Sequence, residues 1–265
     1  DEVLDVLEQI VVEVVQELRG EEIELPIARI SYADAMEKYG TDKPDLRFGM
    51  EIVDLSDLFA DTEFKAFAGV LGSQGTVRGI NGGALGLARS GLDRLVERAQ
   101  DLGARGLVWM IVQEDGSLRS PVAKFLSERE IAAIKGAFDA SPGDTLLIVA
   151  DETKVVTSVL GQLRLTVGQP EDSDELAFVF VLDFPVFDVN DDGSLSPAHH
   201  PFTAPADVDE LASNPETAIS QSYDLVLNGS ELGSGSVRIH DPEIQAKVFE
   251  VMNWRLRRSE TGDLL

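Results

Sequence analysis

The sequence predicts an α+β protein, and three observations carry that prediction. Strand-like and helix-like runs alternate with short links through the middle of the chain. A continuously apolar strand run and a period-2 hairpin run follow late in the chain. Helical periodicity marks the start of the chain and the stretch after the hairpin. The 265 residues are enough for two domains, and 43% apolar with 26% charged content is ordinary for a soluble globular protein. No apolar run is long enough to cross a bilayer, and the first residues lack a secretory pattern. Cysteine is absent, which excludes disulfides and thiolate zinc sites and fits the cytosol. The balance of 22 basic against 48 acidic residues gives a net charge of -26, a surface that repels nucleic acid.

Residues Asp1 to Arg19 read as an amphipathic helix with Val3, Leu7, Ile10, Val11, Val14 and Leu18 at helical spacing and Gly20 at its stop. The helical pattern already includes the first residue, with no cap before it, as expected of a chain cut from something longer. Ser31-Tyr-Ala-Asp34 starts a short helix that Gly40 ends. The polar run Tyr39-Gly-Thr-Asp-Lys-Pro-Asp-Leu-Arg47 reads as a surface loop.

From about Phe59 to Gly168, strands are expected at Gly69–Ile80, Gly106–Gln113, Thr145–Ala150 and Leu163–Val167, and helices at Ser90–Leu102 and Ser127–Phe138. Ser127-Glu-Arg-Glu130 has the spacing of a capping box. The alternation suggests a two-layer α+β unit.

Leu176 to Leu182 reads as a buried strand. Asp188 to Gly193 imitates the start of a calcium loop, but the twelfth position is His199 and not glutamate, so a polar turn is expected. Pro197-Ala-His-His-Pro-Phe-Thr203 holds two of the three histidines without further zinc ligands nearby. Asp207 to Ser220 reads as a loop with a short helix. Asp241 caps a helix with Pro242 at its first position and Ile244, Val248 and Met252 on one face. Asn253 to Leu265 reads as a poorly ordered tail.

Tyr223 to His240 carries the densest chemistry. Tyr223 to Asn228 alternates as a strand. Ser234, Ser236, Arg238 and His240 share one face of a second strand, opposite Val237 and Ile239. Gly229, Gly233 and Gly235 lie in or beside the connection. If the strands pair, Asp224, Glu231 and Arg238 gather at one polar surface. Two readings fit: a ligand site, with carboxylates for a divalent cation and an arginine fork for an anion, or a hairpin with a surface ion pair.

Five segments in order resemble the bacterial-type aspartyl-tRNA synthetases, which are class II aminoacyl-tRNA synthetases. They are Tyr39–Arg47, Ser120-Pro-Val-Ala-Lys-Phe125, Asp183-Phe-Pro185, His199-His-Pro-Phe-Thr203 and Glu231-Leu-Gly-Ser-Gly-Ser-Val-Arg238, and the similarity spans roughly 1–252. The resemblance implies part of a class II antiparallel-sheet catalytic domain (1–58 and 169–252) with an inserted two-layer α/β GAD domain (59–168) and a tail (253–265). It implies that His199 and Arg238 bind L-aspartate, that Glu231 binds ATP with Mg2+, and that Asp224 helps hold the metal. It further implies tRNA as a partner of the full-length enzyme but weak or absent binding by this acidic chain, a homodimer in the family that this chain's sequence does not itself predict, and a cytoplasmic location. The reaction implied has two steps: the aspartate α-carboxylate attacks the α-phosphate of ATP and releases pyrophosphate, then the tRNA terminal adenosine takes the aspartyl group. The alternative family is a tRNA-dependent amidotransferase subunit, which also carries a GAD domain and would make the chain a non-catalytic binding module. The flanking His199 and Arg238 segments favour the synthetase.

The family's anticodon-reading OB-fold, its first two class II motifs with an arginine for the α-phosphate, and its third motif are not found in this sequence. Ser90-Gly-Leu-Asp-Arg-Leu95 imitates the third motif, but it precedes the substrate segments, so Arg94 is expected to be an exposed helix residue. The resemblance therefore implies part of an active site. The pure 265-residue chain should show no aspartate-dependent ATP–pyrophosphate exchange; clear exchange would overturn that expectation.

Overall fold

The structure, a computed structural model, describes residues 2–168, 173–190 and 192–252. In chain order the elements are helix α1 (Glu2–Arg19), strand β1 (Ala28–Ser31), α2 (Tyr32–Tyr39), β2 (Val53–Asp54), α3 (Lys65–Leu71), β3 (Thr76–Asn81), α4 (Arg89–Asp101), β4 (Val108–Val112), β5 (Leu118–Arg119), α5 (Glu128–Ala137), β6 (Thr145–Asp151), α6 (Thr153–Gly168), β7 (Phe178–Leu182), β8 (Phe187–Val189), β9 (Leu195–Pro197), α7 (Val208–Ser213), β10 (Ser222–Leu227), β11 (Ser230–Ser236) and α8 (Pro242–Val251). The chain folds as two compact units. One takes the chain up to Ala33 and from Ala177 onward; the other is Asp34–Leu176. The tail expected at 253–265 lies outside the described residues.

The first unit is built on a sheet of order β1-β7-β10-β11. β10 runs antiparallel to β7 and to β11, while β1 pairs parallel with β7. The apolar run that forms β7 buries Val179, Phe180 and Val181. Helix α1 is tied to β1 by Arg29, whose Nη2 lies 3.6 Å from Asp5 and 3.7 Å from Glu8. Its buried stripe is Leu4, Glu8, Val11 and Val15, whereas Val3, Ile10, Val14 and Leu18 are exposed. This corrects the apolar face expected from the sequence. The helix carries two apolar stripes, and the one that turns inward also brings Asp5 and Glu8 to Arg29. Within the expected polar turn, the described residues Asn190, Asp192 and Gly193 link β8 to β9, and Asp192 accepts the Ser194 amide at 3.0 Å. Hydrogen bonding by Ser194 holds the Asp192 carboxyl below its ordinary pKa. A small core of Val186, Phe187, Leu211, Val248, Phe249 and Met252 joins this hairpin to α7 and α8.

The second unit has an antiparallel sheet of order β2-β3-β6-β4-β5. Helices cover both faces. Leu92, Leu95 and Ala99 of α4 and Val156, Val159, Leu160 and Leu163 of α6 pack on one side. Phe67 of α3 and Ile134 of α5 pack on the other. The unit thus has three layers where the sequence pattern suggested two, and β6 is buried on both faces as a central strand must be. The expected strand Gly69–Ile80 forms over Thr76–Asn81 but starts in a helix, and the expected strand Leu163–Val167 is wholly helical. Residues 65–71 form α3 because Phe67 and Val70, three apart, both face the core. Leu163–Val167 belongs to α6, whose buried residues recur at helical spacing. The capping box at Ser127 forms as the sequence predicts, and Arg94 is exposed on α4.

The loop after α2 is not a bare surface loop. Pro44 and Asp45 are buried, and the loop closes around Arg164 of α6, which is itself fully buried. Arg164 Nη2 donates to the carbonyls of Asp45 (2.6 Å), Phe48 (2.8 Å) and Gly49 (2.9 Å), and Nε donates to Met50 at 3.2 Å. The guanidinium lies between the rings of Tyr39 and Phe48, 4.7 and 4.3 Å from their centroids. Burial pulls Arg164 below its ordinary pKa, opposed by the charges of Tyr39, Asp45 and Glu51. Burial alone would raise Asp45, but paired hydrogen bonds from Arg47 (3.0 and 2.6 Å) hold its carboxyl below the usual range. Replacing Arg164 by methionine strands these carbonyls, so it should cost roughly 3 kcal/mol or more. Urea unfolding checks this; a loss below about 1 kcal/mol would contradict the clamp.

Candidate functional site

The site residues lie in the first unit and follow from one hairpin. Asn228 and Gly229 have φ of 51° and 81°, the left-handed pair that a two-residue hairpin turn requires. Asn228 Oδ1 also accepts the Ala177 amide at 2.9 Å, fixing the turn against the approach to β7. Gly235 stands opposite Tyr223, and a Cβ there would meet the Tyr223 ring at 2.6 Å, so the ring lies across the glycine.

Register then sets the faces. Residues directly opposite on paired strands point to the same side. Asp224 stands opposite Ser234, and Ser222 opposite Ser236. Regular alternation would next put Leu232 on that side. Instead the register shifts between Leu225 and Val226, and Val226 stands opposite Glu231. Leu232 is thus the extra residue of a β-bulge, and Glu231 turns to the face of Asp224. Asp224 is buried (1% exposed), while Glu231 is exposed at the sheet edge. Diagonal neighbours of this kind are typically about 7–8 Å apart.

Arg238 continues the parity of Ser234 and Ser236 beyond the end of β11. Its Nη1 lies 3.5 Å from Thr203 Oγ1, and Thr203 Oγ1 lies 3.5 Å from Ser236 Oγ. Thr203 and Arg238 form a β-bridge, flanked by hydrogen bonds that the Ala204 and Ile239 amides donate to the Val237 and Phe202 carbonyls. The histidine segment therefore runs beside the arginine segment. His199 stacks edge-on against Phe184 at 4.5 Å, and Phe184 against Tyr32 at 5.1 Å. The Phe184 carbonyl accepts the Ser220 amide at 2.7 Å, so β7's end positions both the His199 ring and the start of β10. No hydrogen bond joins His199 to Arg238. His200 is turned to its own backbone, its Nδ1 accepting the Phe202 amide at 3.3 Å.

The structure thus brings Asp224 and Glu231 to one face, sets Arg238 on the continuation of that face, and places His199 four residues from Arg238's partner Thr203. It adds residues the sequence reading passed over. Thr203, Ser220 and Ser222 are buried, and the Ser220 and Ser222 hydroxyls share a 2.7 Å hydrogen bond. The signal was present as the period-2 polar row Ser220, Ser222, Asp224, matching Ser234, Ser236, Arg238 on the next strand. A cavity of about 280 Å3 lies beside Arg238, lined by Pro205, Gln221, Val237 and Ile244 among others.

The face offers two oxygen anions, hydroxyls and one guanidinium, a set suited to an amino acid and a metal-bound phosphate. The sequence pattern of the family described as tRNA synthetases class II (D, K and N) matches residues 1–263. The chain belongs to that family. Among its relatives, an aspartate–tRNA(Asp/Asn) ligase of Caldanaerobacter subterraneus subsp. tengcongensis is 43% identical over 261 residues, covering 96% of this chain. An aspartate–tRNA ligase of Clostridium tetani is 45% identical over 263 residues, again 96% of this chain. An aspartate–tRNA(Asp/Asn) ligase of Bacillus cytotoxicus is 43% identical over 275 residues and covers the whole chain. The chain spans 44%, 44% and 46% of the lengths of these three relatives. Among the described residues, no helix of this synthetase-family chain is long and apolar enough to cross a membrane.

Proposed function

We propose that this chain supplies the aspartate-binding and magnesium-ATP-binding part of an aspartate–tRNA ligase. The observation that carries the reading is the bulge at Leu232, which sets Glu231 on the face of Asp224 in line with Arg238. Arg238 would hold the substrate side-chain carboxylate with two parallel N–H donors, a geometry lysine cannot copy. His199, braced by Phe184, would close the aspartate pocket from the neighbouring segment. Glu231 and Asp224 would hold Mg2+ on the ATP phosphates.

The donor set fits that ion. Magnesium in nucleotide sites takes one or two carboxylates and fills its shell with water and phosphate oxygens. Among the described residues there is no cluster of three or more His, Asp or Glu that would enclose a metal by itself. When bound, the ion supplies charge neutralisation at the phosphates. The residues' own contribution is positioning: Arg238 and His199 orient aspartate so that its α-carboxylate faces the α-phosphate, and Asp224 and Glu231 align the triphosphate so that pyrophosphate can leave. The aspartyl group then passes to the tRNA terminal adenosine. We assign residues 59–168, which lie within the second unit, to the GAD insertion, and the protein to the cytoplasm.

Two variants of the complete protein test the reading. Arg238→Lys should lower kcat/KM for aspartate by roughly a hundredfold or more while leaving the circular dichroism spectrum unchanged. An unaltered kcat/KM would refute the role of Arg238. Glu231→Gln removes one of the two carboxylates and leaves the bulge in place, so ATP–pyrophosphate exchange should fall roughly tenfold or more. Exchange unchanged from that of the parent protein would refute the metal role of Glu231.

A further inference from the structure

A second site lies in the other unit, on the sheet face covered by α4. A cavity of about 350 Å3 is lined by Arg89, Leu92, Trp109, Arg119, Ser120 and Pro121. That volume falls within the roughly 300–1,000 Å3 of small-molecule pockets. Trp109 on β4 is buried, and Ile111, two residues on, pairs with Arg119 of β5, so Trp109 and Arg119 share a face. Arg89, the first residue of α4, lays its guanidinium over the Trp109 ring at 5.2 Å from the centroid. Two guanidiniums therefore converge on one apolar floor in a chain whose acidic residues outnumber its basic ones by 48 to 22.

Neither cation is used up by the fold. The Arg119 side chain is exposed and makes no hydrogen bond or ion pair with any described residue. Arg89 gives Nε to Asp93 at 2.8 Å, an exposed i,i+4 pair of small energetic weight, which leaves its terminal amino groups to a ligand. The cap residue Ala88 brings no side-chain oxygen to the first turn of α4, so the amides there add to the positive field.

We propose that this cavity binds a phosphate monoester of a sugar that also carries a flat base, as in a nucleoside monophosphate. Arg119 and Arg89 grip the phosphate as a two-sided fork, and the base lies on Leu92 and Pro121 beside the indole. An RNA backbone presents anionic phosphate oxygens too, as a phosphodiester, and the test separates the two sources. This site uses none of Asp224, Glu231, Arg238 or His199.

The measurement is the Trp109 indole N–H resonance of the 265-residue chain, assigned with Trp254→Phe and titrated with uridine 5′-monophosphate, uridine, inorganic phosphate and a short oligouridylate. The site predicts a saturable shift with the monophosphate, a weaker one with phosphate and none with uridine. Arg119→Ala should weaken binding by roughly tenfold or more. Arg238→Ala should leave the shift in place, which keeps this test apart from the synthetase site. A shift with oligouridylate but not the monophosphate would assign the site to an RNA backbone and overturn the monophosphate proposal. No shift with any phosphate-bearing probe, an equal shift with uridine, or unchanged affinity in both Arg119→Ala and Arg89→Ala would overturn the proposal.

Discussion

The register of β10 between β7 and β11 is the constraint on which the first unit's chemistry depends. A strand has only two faces, and one residue of slip exchanges them. Three devices fix the slip here. The Asn228-Gly229 turn sets the hairpin, the Asn228 side chain pins that turn to Ala177, and the ring of Tyr223 lies over Gly235. The bulge then departs from the pattern at one place, Leu232, and that departure moves a carboxylate. A sheet built only for stability would have no need of it, since a bulge interrupts the hydrogen-bond ladder and exposes an apolar side chain.

The face so produced is an unusual one for a sheet. Ser220, Ser222 and Asp224 are buried polar residues alternating along β10 and its approach, with buried Thr203 on the neighbouring segment beside Arg238, and Asp224 stands opposite Val181 of β7. Burying such groups costs free energy unless hydrogen bonds or ligands offset it, and their concentration on one face marks where function was selected over packing. The opposite side carries Phe180, Leu225 and the ion pairs of Arg29 with α1. Division into a helix-backed side and a polar working side is what a platform for an amino acid and a nucleotide requires. The second unit shows the same economy elsewhere: Arg164 replaces regular backbone pairing for the loop at 45–50 with donors from a single side chain.

Much of this was legible in the sequence, and the gaps have physical causes. Local signals succeeded where they are strong. The Ser127 capping box, the Asp241-Pro242 helix start and the apolar β7 run formed as their chemistry dictates. Short apolar runs failed. Residues 69–75 and 163–167 suit strand or helix equally until tertiary packing decides, and Arg164 was hidden inside the second of these runs. Helix α1 was recognised, but its inward stripe goes with a cross-element contact with Arg29 that no window of sequence contains. At the site, alternation correctly grouped Ser234, Ser236 and Arg238. It could not by itself place Glu231, because parity from Ser234 puts Glu231 on the wrong face and only the bulge reverses it.

The most direct measurement is a crystal structure of the complete protein with Mn2+, a non-hydrolysable ATP analogue and L-aspartate, read by anomalous scattering. The account predicts a manganese peak on the face shared by Asp224 and Glu231, with the aspartate side-chain carboxylate on Arg238. A manganese peak touching neither carboxylate, or aspartate bound away from Arg238, would contradict it.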